Sequence, residues 1–196
     1  MYRSYGDLKF KVSRDVYEPA EDTYLLISAI MGEKGEKALD LGCGCGLIAL
    51  ILAKRFNEVI AVDINPNALK LTAYNAKLND ISNIYTVRCD SGSSLKSYVF
   101  DVIACNPPYI PVVEEGGWIH KAWSGGLTGR EATYRMVGEA WRLLKENGRL
   151  YIVASSLSKI KYIKNHLVKL GFKNVERILS RKFFFEELTV IKCVRC

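Results

Sequence analysis

The sequence predicts an α/β fold, with a mostly parallel seven-stranded sheet that ends in an antiparallel hairpin. Apolar runs alternate with helix-like segments along most of the 196 residues, and this alternation is typical of βαβ units. The last two strand-like runs are separated by only a few residues, which favours an antiparallel pair. The length allows one full hydrophobic core, so we expect a single domain over residues 1–196.

The elements follow in chain order from apolar spacing and turn residues. Residues 21–31 carry apolar side chains at helical spacing and predict a helix before the sheet begins. Apolar runs that predict strands buried on both faces follow at residues 37–42, 58–63, 84–89, 100–105 and 148–154. Helix-like segments occupy residues 46–56, 66–79, 131–145 and 158–170. The predicted closing hairpin consists of residues 173–181 and 187–194.

One long connection interrupts this alternation. Residues 107–130 show no regular element and are too long for an ordinary βα connection. Loops of that length in a compact domain are usually functional, so we interpret residues 107–130 as a substrate loop. Trp123 is a candidate substrate-binding residue in it, although a loop tryptophan more often anchors its loop to the body.

Composition and charge narrow the function classes. No apolar stretch approaches the ~20 residues needed to cross a bilayer, and no signal-peptide core stands at the N-terminus, so we expect a cytoplasmic protein with no membrane role. The net charge of +7 favours an acidic or nucleic-acid partner, although a solvated, lysine-rich surface explains it equally well. The six cysteines are scattered, and Cys193 and Cys196 supply two ligands where a structural zinc site needs four. No metal site is therefore expected.

A glycine-rich turn, LDLGCGCG, follows the first predicted strand. Gly42, Gly44 and Gly46 permit a tight turn with close backbone approach, and the helix that follows offers free N–H groups. The nicotinamide fingerprint G-x-G-x-x-G cradles a pyrophosphate, whereas this turn reads G-x-G-x-G after Asp40. A carboxylate there would repel a pyrophosphate but suits an ammonium group and ribose hydroxyls. The turn therefore favours S-adenosylmethionine as cofactor.

Two further acids end the next two strands. Asp63 can accept hydrogen bonds from both ribose hydroxyls, and Asp90 stands where an adenine amino group could be bonded. Ligands of such sheets bind at the carboxyl ends of the strands. Ordinary strand caps are the alternative, but three acids on three successive strands beside one glycine turn favour a cofactor site.

The sequence CNPPYIP ends the fourth strand. We interpret it as a catalytic turn that holds a planar NH2 group beside the cofactor's methyl group. The Asn106 side-chain oxygen and the Pro107 carbonyl would accept hydrogen bonds from that group, and Tyr109 would lie against its flat face. The alternative is an ordinary proline-rich turn.

The glycine turn followed by Asn106-Pro-Pro-Tyr109 resembles the HemK-type N5-glutamine methyltransferases, which have the class I, Rossmann-like fold of S-adenosylmethionine-dependent enzymes. The stretches VYEPAEDTYLL, AWSGGLTGRE and LSRKFFFEELTVIK are similar to the archaeal and eukaryotic branch of that family. That branch methylates the glutamine of the Gly-Gly-Gln motif in a class I release factor. The resemblance therefore implies the same reaction here.

The resemblance also implies residue roles and partners. Thr23, in the segment 1–36 that covers the cofactor, should contact its methionyl end, while Asp40, Gly42, Asp63 and Asp90 match cofactor-binding positions. Asn106 matches the residue that binds the substrate amide. Bacterial members grip the release factor with a separate N-terminal domain, and this chain has only a short stretch before the shared segment. Docking would therefore rely on the substrate loop, the basic surface, or a small zinc-binding activator subunit that forms a heterodimer in this branch.

Three alternatives stay open. An adenine-N6 methyltransferase of DNA or RNA would share NPPY and the positive charge, but no added target-recognition domain is evident, so a nucleic-acid substrate is not favoured. A lysine substrate would first have to lose its proton, and no base for that step is evident. A non-catalytic cofactor-binding or RNA-binding module would not need Asn106-Pro-Pro-Tyr109.

Overall fold

The computed structural model describes residues 1–112 and 116–196. Its strands are β1 (Tyr2–Tyr5), β2 (Leu8–Lys11), β3 (Gly35–Leu41), β4 (Phe56–Asp63), β5 (Ile84–Arg88), β6 (Phe100–Cys105), β7 (Leu144–Ser155), β8 (Lys173–Lys182) and β9 (Glu187–Val194). Its helices are α1 (Glu21–Ile30), α2 (Leu47–Ala53), α3 (Pro66–Leu78), α4 (Trp118–Lys121), α5 (Glu131–Leu143) and α6 (Ile160–Lys169). Within these two ranges, no helix is both long and apolar enough to cross a membrane.

The main sheet has seven strands in the order β5-β4-β3-β6-β7-β9-β8. The pairs from β5 to β7 are parallel, and β9 pairs antiparallel with both β7 and β8. The predicted fold class is therefore confirmed. The chain runs outward from β3 to β5 and then returns to place β6 on the other side of β3. In open α/β sheets, ligands bind where the strand order reverses in this way. A ligand site is therefore expected at the carboxyl ends of β3 and β6.

Helices cover both faces of the sheet and explain why its central strands are apolar on both sides. One face packs against α1 to α3 through side chains such as Leu26, Ile27 and Leu50, and the other packs against α5 and α6 through side chains such as Val137 and Ile163. All five of these side chains are at most 1% exposed. The sheet is thus a rigid base for the loops at its carboxyl edge.

The structure corrects the sequence prediction in the segment that precedes α1. No strand is predicted before residue 21, yet β1 and β2 form an antiparallel hairpin. The side-chain amides of Asn75 in α3 and of Asn79, directly after α3, each bond both backbone groups of a β2 residue, Lys11 and Lys9 respectively, at 2.7–3.0 Å. The hairpin is thus held by residues that are distant in sequence, so the local sequence pattern does not predict it.

The substrate loop 107–130 is also more ordered than expected. Helix α4 lies within it, and Ile110 and Val112 form β-bridges with Ser124 and Gly126. These bridges fold the loop back on itself as a flap beside the end of β6. Residues 113–115, at the middle of the loop, lie outside the described residues.

Candidate functional site

A cavity of about 660 Å³ opens at the carboxyl ends of β3, β4 and β6. This volume lies in the usual range for small-molecule sites. Its walls come from the segment before α1, the loops that follow the parallel strands, the flap and the start of α5. Nine residues expected at the site line it: Thr23, Gly42, Gly44, Asp63, Asp90, Asn106, Pro107, Tyr109 and Trp123. Asp40 and Gly46 do not line it.

The glycine turn satisfies its own N–H groups. Those of Gly42 and Cys43 donate to the Val62 carbonyl, and that of Gly44 donates to the Asp63 carboxylate, at 2.8–3.0 Å. These three backbone N–H groups therefore already have partners within the protein. Because these N–H groups already donate within the protein, they cannot form an anion-binding nest for a pyrophosphate. This agrees with the prediction that the turn does not bind a dinucleotide.

Gly46 has a packing role. Its φ is +85°, and a Cβ there would lie 2.6 Å from a side-chain carbon of Thr72 on α3. Because any Cβ at this position would collide with Thr72, only glycine lets the start of α2 approach α3 this closely. The expected cofactor contact of Gly46 stays a prediction.

Asp40 is fully buried behind the turn. Its Oδ2 accepts the N–H of Ala49 in α2 at 2.9 Å, and its Oδ1 has no hydrogen-bond partner among the described residues. Burial, opposed by the Ala49 N–H and reinforced by the charge of Asp63, raises the pKa of Asp40 to about 7. The carboxyl group ties the turn to α2, and its expected contact with a cofactor stays a prediction.

Asp63 ends β4 at the cavity wall with its carboxylate fixed. Its Oδ2 accepts the N–H of Gly44 at 3.0 Å and its Oδ1 accepts that of Asn65 at 2.8 Å. Burial raises its pKa, although these backbone donors act in the opposite direction. Each oxygen has further acceptor capacity, so the group can receive a pair of vicinal hydroxyls without reorganising.

Asp90 lies at the far end of the cavity beside Arg135, a residue that the sequence analysis did not select. The Ser91 hydroxyl donates to the Asp90 carboxylate at 2.7 Å, and the Arg135 Nε lies 3.4 Å from the same oxygen. Arg135 also donates to the Ser91 hydroxyl at 3.2 Å and lines the cavity. It reaches Asp90 from the second turn of α5, a placement that only the tertiary fold supplies.

The Asn106 turn contains an unused acceptor. The Asn106 Nδ2 donates to the Thr23 hydroxyl at 3.4 Å, whereas its Oδ1 is buried without a hydrogen-bond partner in the described part of the chain. An unpaired buried amide oxygen costs stability unless a ligand completes it. Asn106 lines the cavity, so its side-chain amide is a candidate acceptor for an NH2 group bound there.

Asp22 links this turn to the segment before α1. The buried carboxylate accepts the hydroxyls of Tyr109 and Tyr17 at 3.1 and 2.9 Å, and also the Thr23 N–H at 2.5 Å. Burial and the charge of Asp22 raise the pKa of both tyrosines, so each remains a neutral donor. The sequence analysis did not select Asp22 or Tyr17, because an acid in the first turn of a helix has an ordinary explanation.

The flap contributes an aromatic wall. Trp123 is 42% exposed and lines the cavity, and the nearby Trp118 ring holds the Lys121 ammonium group 5.0 Å from its centre. A tryptophan that only anchored the loop would be buried more completely. The geometry thus favours substrate contact for Trp123, and this role stays a prediction.

Comparisons with known proteins give the site a family. The family model described as the methyltransferase small domain matches residues 18–185. A Methanocaldococcus jannaschii protein named as a protein N5-glutamine methyltransferase is 41% identical over 192 residues, which cover 96% of each chain.

Two solved structures extend the comparison. The Encephalitozoon (E.) cuniculi Mtq2–Trm112 complex, described as responsible for methylation of the eRF1 translation termination factor, matches with a TM-score of 0.76 and 29% identity, covering 93% of this chain and 99% of that chain. M. jannaschii TYW2, determined with S-adenosylmethionine, matches with a TM-score of 0.67 over 98% of this chain and 84% of that chain. At 17% identity, the second likeness shows the fold alone.

Proposed function

The chain belongs to the methyltransferase small-domain family and, within it, to the protein N5-glutamine methyltransferases, and from this premise we propose its substrate and its cofactor. It transfers the methyl group of S-adenosylmethionine to the side-chain nitrogen of the glutamine in a Gly-Gly-Gln motif of a class I release factor. The substrate proposal follows the E. cuniculi relative, which is described as acting on eRF1.

The buried, unpartnered Oδ1 of Asn106 is the observation that carries this proposal. An amide nitrogen is a poor nucleophile because its lone pair is delocalised into the carbonyl group. When Asn106 accepts a hydrogen bond from the substrate NH2 group, it fixes the nitrogen in one orientation and increases its electron density. The Pro107 carbonyl is proposed to accept the second N–H, and the Tyr109 ring, fixed through Asp22, to cover one face of the amide.

The cofactor proposal follows from the chemistry of the other cavity walls. Bound S-adenosylmethionine would supply a methyl group on a positively charged sulfur. Asp63 would accept the ribose hydroxyls, Asp90 the adenine amino group, and Thr23 with the glycine turn would contact the methionyl end. The internally satisfied N–H groups of the turn fit this ligand, which has cationic sulfonium and ammonium groups and no phosphate, better than they fit a pyrophosphate.

A small activator subunit is the proposed partner, since the E. cuniculi relative forms a complex with Trm112. We expect a zinc-binding subunit, as in the branch that the sequence resembles. The β5 edge of the sheet is a surface that fits it, because Tyr74 and Tyr85 near that edge are 43% and 55% exposed. Edge strands of this kind readily receive a further strand.

Label transfer tests the proposed function. The protein, with and without a Trm112-type subunit, is incubated with methyl-labelled S-adenosylmethionine and a release factor, its Gly-Gly-Gln glutamine variant, DNA or RNA. We expect label on the release factor and its loss when that glutamine is replaced. Label on nucleic acid alone would indicate that the Asn106 turn binds an adenine amino group, and it would overturn the glutamine proposal.

A further inference from the structure

Two phenylalanines at the tip of the β8–β9 hairpin lie almost entirely in solvent. Phe184 is 92% exposed and Phe185 is 84% exposed, and their rings meet edge to face at 4.6 Å. The turn is closed by the Phe183 N–H, which donates to the Glu186 carbonyl at 2.7 Å. Turn corners are usually glycine, asparagine, aspartate or proline. A pair of aromatic rings at such a corner does nothing for the turn and indicates a contact surface.

The hairpin tip lies at the carboxyl edge of the sheet, the edge at which the cavity opens. The Ser155 hydroxyl donates to the Glu186 carboxylate at 2.5 Å, and the Glu187 N–H donates to the Ser156 hydroxyl at 2.9 Å. Because β7 runs parallel to β6, Ser155 at the end of β7 lies at the same edge of the sheet as the Asn106 turn at the end of β6. The two rings therefore stand at the edge of the sheet from which a substrate side chain would enter.

Further exposed apolar side chains lie on the flap and on residues 156–158, which contact the hairpin tip. Arg130, at the end of the substrate loop, donates to the Ser158 carbonyl at 3.3 Å and lies over the Tyr162 ring at 4.8 Å. Close to it in the chain, Leu127 is 81% exposed, and Leu157 in the intervening turn is 43% exposed. Exposed apolar side chains therefore stand on three segments that these hydrogen bonds connect: the flap, residues 156–158 and the hairpin tip.

We propose that Phe184 and Phe185 are the docking anchor for the folded protein that presents its glutamine to this cavity. The proposal rests on the proposed function and specifies where the release factor binds. One amide side chain makes few contacts, so selection of one glutamine among many requires binding surface outside the cavity. Exposed aromatic side chains are the usual anchors of such surfaces.

The charges at the tip favour a protein over RNA. Arg181, the nearest arginine on β8, forms an ion pair with Glu21, and the exposed Lys182 and the Glu186 carboxylate place one charge of each sign next to the two rings. A phosphate backbone would meet this carboxylate and find the arginine already engaged. The aliphatic Leu127 and Leu157 also offer no stacking face for a base, whereas both suit an apolar protein surface.

The double variant Phe184→Ser with Phe185→Ser tests the anchor, with Val168→Ser as the control because Val168 is a 59% exposed apolar residue on α6. All assays include the activator subunit and saturating S-adenosylmethionine, with the release factor varied. We expect the KM for the release factor to rise about tenfold or more, with kcat, S-adenosylmethionine affinity and the thermal midpoint unchanged. The control should match the wild type in every value.

An unchanged KM in the double variant would overturn the anchor, and so would a fall in kcat or in S-adenosylmethionine affinity with KM unchanged. A matching loss of affinity for labelled RNA, with KM for the release factor unaltered, would overturn it in favour of a nucleic-acid surface. The proposed function is tested separately by the wild type, because a wild type that labels no release factor contradicts that function whatever the variant does.

Discussion

The two ends of the cavity differ in how far the chain satisfies its own polar groups. At the cofactor end, the turn N–H groups donate within the protein, and Asp63 is fixed by the backbone N–H groups of Gly44 and Asn65. At the substrate end, Asn106 keeps a buried oxygen without a partner in the described residues, and Trp123 is half exposed. The first end is preorganised for one small ligand, whereas the second, in the function proposed above, is completed by the glutamine that it modifies.

This difference also separates the origins of the two ends. The cofactor end is built from short stretches at the ends of β3 and β4. The substrate end joins Asp22 to Tyr109, which are 87 residues apart in the chain, and Thr23 to Asn106, which are 83 residues apart. Loss of a single acceptor at the substrate end should therefore lower the rate of methyl transfer. Loss of an acceptor at the cofactor end should instead weaken the binding of S-adenosylmethionine. The variants below test that separation.

Asn106→Ala should produce the largest effect. Loss of the unpaired acceptor removes the hydrogen bond that orients the substrate amide, and we expect kcat to fall by about 10²–10³-fold. The affinity for S-adenosylmethionine, measured by calorimetry, should change little. Asn57→Ala is the control, because the exposed Asn57 side chain donates to Glu36 at the surface, away from the cavity. A variant that still methylates at the wild-type rate would contradict the catalytic assignment.

Asp22→Ala should weaken the link between the substrate end and α1. The variant leaves two half-buried tyrosine hydroxyls and the Thr23 N–H without their shared acceptor, and we expect the free energy of unfolding to fall by about 1–3 kcal/mol. Methyl transfer should fall further than this stability loss explains, because Tyr109 loses its orientation. Asp15→Ala, an exposed acid in the same segment, should leave both quantities unchanged. Equal stability for the two variants in urea unfolding would contradict the network.

Asp63→Ala should affect binding rather than turnover. Two backbone N–H groups lose their acceptor and the ribose hydroxyls lose theirs, so the Kd for S-adenosylmethionine should rise about tenfold or more. The value of kcat at saturating cofactor should be preserved. Glu58→Ala on the same strand, where Glu58 pairs with Lys37, is the control. Unchanged affinity would remove Asp63 from the cofactor site.

How much of this could be predicted from sequence depends on the range of the interactions. The sheet and the glycine turn were predictable because apolar runs and glycine spacing are local patterns. Asp22 and Arg135 were not, since their partners Tyr109 and Asp90 are distant in sequence and become neighbours only through the fold. Asp40 shows the intermediate case: the motif position was evident, but its attachment to Ala49 behind the turn was visible only in three dimensions.

Asp40→Asn should produce the smallest effect, as a change in the pH dependence of stability. Burial raises the pKa of Asp40 to about 7 in the folded protein, from an ordinary value of 3.8. Between these values the folded protein keeps a proton that the unfolded chain has lost, so wild-type stability falls as the pH rises through this window. Asparagine does not ionise and can still accept the Ala49 N–H. We therefore expect the cofactor-free variant to gain stability relative to the wild type at pH 8 compared with pH 5, in urea unfolding.

Asp101→Asn provides a comparison of opposite sign. Burial alone would raise the pKa of Asp101, but hydrogen bonds from the Lys145 side chain and from the Lys37 backbone lower it below its ordinary value. Its contribution is present above the unfolded pKa and is lost as the pH falls through the folded pKa, so this variant should lose stability at pH 8. If both variants shift the pH profile in the same direction, the difference reflects the loss of charge in general, and the buried environment of Asp40 is not its cause.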